Sequence, residues 1–129
     1  MMAKILIVED SRSILEQIVV ILKSAGHSVI TAIDGQDGVE KAKSEDGLDL
    51  VISDYNMPKM NGIEMLEQIK HHGYIADHIP TIMLTTERVN SHLLEAHSAK
   101  VTGWLLKPVS KSILVKAVDK VILGIKKAS

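Results

Sequence analysis

Four apolar runs in this sequence end on side chains that can do chemistry. Ile5-Leu6-Ile7-Val8 leads into Glu9-Asp10-Ser11, and the run from Asp49 to Ser53 leads into Asp54. The run that begins at Thr81 closes on Thr85-Thr86, and Gly103-Trp104-Leu105-Leu106 leads into Lys107-Pro108. If the four ends meet, one small cleft holds three carboxylates, one or two hydroxyls and one ammonium. Crowded carboxylates repel one another and raise each other's pKa values. A hard divalent cation relieves that repulsion. Mg²⁺ suits such a cleft because it takes oxygen ligands and keeps some waters that phosphate oxygens can replace. A carboxylate beside Mg²⁺ and a lysine is then an acceptor for a phosphoryl group, with metal and ammonium neutralising the transferring oxygens. Taken singly, each residue has an ordinary explanation. Asp10 or Ser11 can cap the helix that follows, Thr85 can be a β-branched strand residue, and Lys107 a surface lysine. The set acquires meaning only if one sheet brings the ends together.

The elements that must do so are legible in the pattern. Short apolar segments at Lys4 to Val8, Ser28 to Ile33, Asp49 to Ser53, Thr81 to Thr85 and Gly103 to Leu106 read as mostly buried strands, because several are apolar without alternation. Helical stripes lie between and after them: Ile14, Ile18, Ile21 and Leu22; Ile63, Leu66 and Ile69; Leu93 and Leu94 with His97 or Val101; and Leu114, Ala117, Val118, Val121, Ile122 and Ile125. The segment from Gln36 to Lys43 is the least regular helix, since Gly38 in its interior costs ~1 kcal/mol relative to Ala. Strand and helix alternate along the whole chain. The fold expected is α/β: a doubly wound, five-stranded parallel sheet with helices on both faces. In such sheets ligands gather at the carboxyl ends of the strands, near the point where strand order reverses.

Composition narrows the function classes. With 129 residues the chain is one ordinary domain, and it contains no linker, repeat or low-complexity stretch. It is 46% hydrophobic but only 2% aromatic, with no Phe, so its core is aliphatic. A net charge of −1 gives no general reason to bind nucleic acid or a membrane surface. The absence of Cys excludes disulfides, thiolate metal sites and a Cys nucleophile. No apolar run is long enough to span a membrane or form a signal peptide, so a soluble cytoplasmic protein is expected. His71, His72 and His78 read as loop histidines, His27 as a turn residue, and His92 and His97 as helix residues; none stands at the carboxyl end of a strand.

These residues resemble the receiver domain of bacterial response regulators, of the stand-alone CheY-like kind. Asp54-Tyr55-Asn56-Met57-Pro58-Lys59-Met60-Asn61-Gly62 is similar to that family's Asp-x-x-Met-Pro-x-Met-Asp/Asn-Gly block. Ile5 to Ser11 resembles its first strand and acidic pair, Ala32-Ile33-Asp34-Gly35 its second-strand exit, and Gly103 to Pro108 its fifth strand. The resemblance covers essentially residues 1–129 as a single receiver domain without an output domain. It implies a flavodoxin-like (βα)5 fold with strand order 2-1-3-4-5. It implies Asp54 as the phosphorylated aspartate, and Mg²⁺ held by Glu9, Asp10, Asp54 and the backbone carbonyl of Asn56. Thr85 and Lys107 become the switch hydroxyl and the phosphate-contacting ammonium, with a cis Lys107-Pro108 bond. Pro58 and Gly62 shape the loop into the third helix. Trp104 stands where the family has Tyr or Phe as a rotating aromatic, Thr86 where a small residue is common, and Val109 where Phe is frequent.

The function expected from this resemblance is a two-component response regulator. It takes a phosphoryl group from a histidine kinase or phosphotransfer protein and signals to a downstream protein at the face of the fourth helix, fifth strand and fifth helix. Chemotaxis is one pathway compatible with it. The alternatives are a phosphorylation-independent scaffold of receiver fold and an aspartyl-nucleophile phosphatase. The phosphatase needs a proton shuttle two residues past the nucleophile, where Asn56 cannot serve. Flavodoxin chemistry is disfavoured because Glu9 and Asp10 stand where a phosphate would have to approach. The P-loop pattern is absent. The expected chemistry is thus self-catalysed phosphoryl transfer and autodephosphorylation, with no turnover of outside substrates.

Overall fold

The computed structural model describes residues 2–86 and 101–128, with side chains through residue 124. The helix expected around Leu93, Leu94 and His97, with His92, lies outside the described residues. The strands are β1 (Lys4–Val8), β2 (Ser28–Ala32), β3 (Leu50–Asp54), β4 (Thr81–Thr85) and β5 (Gly103–Leu106). The described helices are α1 (Arg12–Ser24), α2 (Gly35–Ser44), α3 (Gly62–His71) and α4 (Lys111–Ala128), the last being the fifth helical stripe of the sequence. All strand pairs are parallel, in the order β2-β1-β3-β4-β5.

Alternation along the strands builds two cores from one sheet. Leu6, Val8, Val51 and Met83 face one side and pack with Val39 and Ala42 of α2 and Ile63, Leu66 and Ile69 of α3. Ile5, Ile7, Leu50, Ile52, Ile82 and Leu84 face the other and pack with Leu15, Ile18 and Leu22 of α1 and Leu114, Val118 and Ile122 of α4. Burial on both faces is why β1, β3 and β4 carry unbroken apolar runs. The edge strands β2 and β5 are only half-buried.

Several details differ from the sequence reading. The end of β3 reaches Asp54, one residue further than expected, so the acid itself is in the strand. Gly38 stands inside α2 for a packing reason. A Cβ there would lie 2.5 Å from Met65 Sδ and 3.1 Å from Val8 Cγ2, so the glycine lets α2 close on α3 and β1. Asp34 caps α2 by accepting from the Asp37 N–H at 2.7 Å. Ser11 occupies the N-cap position of α1 but makes no capping hydrogen bond with its side chain; its hydroxyl lies against that of Ser13. Val101, a candidate for the fourth helical stripe, is buried in the core just before β5 and is not helical.

Candidate functional site

Register brings the four strand ends together. β1 and β3 are neighbours at the reversal of strand order, and Val8 pairs with Ser53, so Glu9 and Asp54 leave the sheet side by side. Asp54 pairs with Leu84 of β4, and Thr85 with Leu106 of β5. Thr85 and Lys107 therefore follow across the same end, where the Lys107 N–H donates to the Thr85 carbonyl at 2.7 Å.

The side chains then meet. Glu9, Asp10 and Asp54 each offer one carboxylate oxygen, all within 4.8 Å of one another. Glu9 and Asp54 are buried, 1% and 5% exposed, while Asp10 faces solvent. The Lys107 ammonium bridges the two buried acids, 2.9 Å from Asp54 Oδ1 and 3.0 Å from Glu9 Oε2. Glu9 Oε1 accepts from the Ser11 N–H at 3.1 Å. Glu9 Oε2 has the ion-pair contact but no hydrogen bond of good geometry.

Electrostatics follows from this crowding. Burial raises the Glu9 carboxyl above its ordinary range; Lys107 and the Ser11 N–H work against the rise, and the Asp54 charge adds to it. Burial likewise raises Asp54, against the hydrogen bond and charge of Lys107, and the Asp10 charge adds to that rise. Burial alone would lower the Lys107 ammonium, but the hydrogen bonds and charges of Asp54 and Glu9 together reverse it and leave it raised. Among the described residues one ammonium thus contacts two of the three acids, and these four groups carry a formal excess of two negative charges. Three carboxylates whose oxygens lie within 4.8 Å of one another, two of them buried, form an all-oxygen donor set that fits a hard divalent cation.

The loop after β3 is shaped by close backbone approach. The Gly62 N–H donates to the Tyr55 carbonyl at 2.9 Å, and a Cβ on Gly62 would sit 2.6 Å from the Asp54 carbonyl oxygen. Lys59 in that loop has φ of 70°. Asn61 and Glu64 then start α3 with a reciprocal capping box. Asn56 lies in the loop and is exposed. Thr85 is buried and Thr86 exposed. The Lys107-Pro108 bond is cis, as expected.

Trp104 is half-buried, as its place on an edge strand requires, and pairs with Met83 across the sheet. Its Nε1–H is buried with no acceptor among the described residues. The ring meets Tyr55 edge-on, with centroids 5.6 Å apart and planes at 61°. Sequence reasoning did not find this contact, which depends on three strands in register. Nor did it find the Ser11 N–H on Glu9, though the two-residue spacing was available as a signal. His71, His72 and His78 are exposed. His27 does close the α1–β2 turn, its N–H donating to the Leu22 carbonyl. It is also buried, and its Nδ1 accepts from the Ala3 N–H at 3.0 Å.

Known proteins are similar to this chain in sequence and fold. The model of the response regulator receiver domain matches residues 5–119. Chemotaxis protein CheY-3 of Vibrio cholerae is 33% identical over 119 residues, covering 92% of this chain and 90% of that protein. Protein PilH of Pseudomonas aeruginosa is 32% identical over 123 residues, covering 95% and 100%. Among solved structures, chemotaxis response regulator CheY4 of Vibrio cholerae superposes with a TM-score of 0.85 at 37% identity, covering 94% of this chain and 99% of that one. A receiver domain protein from Clostridium thermocellum gives 0.85 at 30% identity, covering 98% and 99%.

Proposed function

This chain belongs to the response regulator receiver domain family, and we propose that within it Asp54 is the phosphoacceptor of a cytoplasmic regulator. The observation that carries this reading is the Lys107 ammonium set between two buried carboxylates, with a third acid beside them. The donor is a phosphohistidine on a kinase or phosphotransfer protein. An Asp54 carboxylate oxygen attacks phosphorus, the P–N bond breaks, and the imidazole nitrogen leaves and takes a proton from solvent. The product is an acyl phosphate on Asp54.

Each neighbour has a part in this step. When bound at Glu9, Asp10, Asp54 and the Asn56 carbonyl, Mg²⁺ supplies charge neutralisation for the phosphoryl oxygens. Lys107, already 2.9 Å from Asp54, stays with the negative charge as it moves onto those oxygens. The Thr85 hydroxyl donates to the phosphoryl group. Asn56 carries no proton to pass on, so the site does not turn over outside phosphate esters.

Phosphorylation shifts the protein between two states only by the difference in contacts it makes with each. Thr85 and Lys107, on adjacent strand ends, are the source of that difference. The signal then passes by protein contact at the face of β5 and α4. The relatives' names make chemotaxis the first pathway to examine.

The test is phosphoryl uptake from acetyl phosphate with Mg²⁺, read by intact-protein mass. The wild type is expected to gain one phosphoryl group, and Asp54→Asn none. Uptake by Asp54→Asn contradicts the assignment. No uptake by the wild type favours a phosphorylation-independent scaffold.

A further inference from the structure

Tyr55 has no part in the chemistry above, yet it touches both ends of the signal path. It shares a peptide bond with Asp54. Its N–H donates to the Leu84 carbonyl at 2.8 Å, one residue before Thr85, and its carbonyl accepts from Gly62. Its ring lies edge-on to Trp104 at 5.6 Å. Among the described residues the indole N–H is buried without an acceptor. Trp104 sits on the half-buried edge strand β5, packed on the Met83 side of the sheet, where Tyr55 is its ring neighbour. An indole on an edge strand whose donor is not met gains from a ring contact that holds it in place.

We propose that Tyr55 is a positioning residue that holds Trp104 in the resting arrangement, coupling the acceptor strand end to the edge strand by a ring contact separate from Thr85. This rests on the phosphoacceptor reading for the identity of the charged state. In this proposal the ring contact belongs to the resting state and is weakened in the charged one. Removing it shifts the equilibrium toward the charged state, and coupling of this kind is reciprocal. A ligand that selects the charged state then binds more tightly. An edge-to-face aromatic pair corresponds to a shift of about two- to tenfold.

The experiment titrates beryllofluoride, a phosphoryl mimic, into the full chain with Mg²⁺ and follows bound fluorine by NMR. Tyr55→Leu is expected to bind about two- to tenfold more tightly than wild type. Tyr55→Phe, which keeps the ring, is expected to match wild type. In a Trp104→Leu background, Tyr55→Leu is expected to change nothing further, since its contact is already gone. Unchanged or weaker binding by Tyr55→Leu, or an equal gain in both backgrounds, overturns the proposal. A purely structural role for Tyr55 predicts that equal effect. If Tyr55→Leu does not fold, Tyr55→Met carries the same comparison. Failure of the wild type to bind the mimic overturns the phosphoacceptor reading and this inference with it. Normal wild-type binding with no Tyr55 effect overturns this inference alone.

Discussion

The two ends of the same parallel sheet handle charge in opposite ways. At the amino end, Lys4 gathers its partners: its N–H donates to Asp49 Oδ2 at 2.8 Å, its ammonium to the Asp46 carbonyl at 2.7 Å, and Glu45 Oε2 lies 3.0 Å away. His27 receives the Ala3 N–H beside it. These contacts tie β1 to the loop before β3 and to the α1–β2 turn; the His27 contact is buried and fully paired, and the Lys4 contacts lie near the surface, where water offsets imperfect pairing. At the carboxyl end, three acids lie together and, among the described residues, one ammonium contacts the two buried ones. One end uses charge to close the fold. The other keeps an imbalance that a cation and a phosphoryl group can use, at a cost to the stability of the metal-free protein.

Lysine removal is the strongest way to separate the two ends. Lys107→Met strands two buried carboxylates and is expected to destabilise the metal-free protein by about 3 kcal/mol, read by urea unfolding. Added Mg²⁺ should recover much of that loss, and Mg²⁺ affinity should rise because the competing ammonium is gone. An equal loss with and without Mg²⁺ removes Lys107 from the cation site.

Removing an acid should have the reverse effect on stability. Asp10→Asn takes one charge from the crowded set, so Mg²⁺ binding is expected to weaken at least about tenfold. The metal-free variant should melt higher than wild type because repulsion on Asp54 falls. Mg²⁺ affinity equal to wild type in a calorimetric titration places the cation elsewhere.

The imbalance also has a pH signature. Burial raises the Glu9 and Asp54 carboxyls above the ordinary carboxylate range, so the folded chain binds more protons than the unfolded one between the unfolded and folded values. Stability contributed by these groups is therefore greatest at low pH and is lost as pH rises through their folded values. Melting curves of wild type and Glu9→Gln without Mg²⁺ should converge in acid and separate toward neutrality, with the variant higher. Parallel curves mean that Glu9 carries no such strain.

The smallest effect is expected at the amino end. Lys4→Met breaks a partly exposed pair with Glu45 and should cost less than about 1 kcal/mol, independent of Mg²⁺. A loss as large as that of Lys107→Met erases the contrast between the ends.

The contrast was partly legible in the sequence. Glu9, Asp10, Asp54, Thr85 and Lys107 were visible as strand-end residues because apolar runs buried on both faces stop abruptly at them. What those runs cannot encode is side-chain reach across strands. That Lys107 spans from Glu9 to Asp54, or that Tyr55 meets Trp104, depends on register between segments far apart in the chain. Gly38 looked like a local flaw because helix propensity is local, whereas its reason lies in Met65 and Val8. The Asn61–Glu64 capping box and the Asp34 cap were local signals, available in the sequence but hidden behind weak apolar periodicity.

The central claim is that Asp54 takes the phosphoryl group, and chemical mapping tests it most directly. After treatment with acetyl phosphate and Mg²⁺, borohydride reduces an aspartyl phosphate to homoserine, which peptide mass spectrometry assigns to a position. Homoserine is expected at residue 54 alone, and its yield should fall when Mg²⁺ is chelated. Homoserine at Asp10 or Glu9's homologous reduction product instead, or a phosphorylated protein with residue 54 unchanged, contradicts the account.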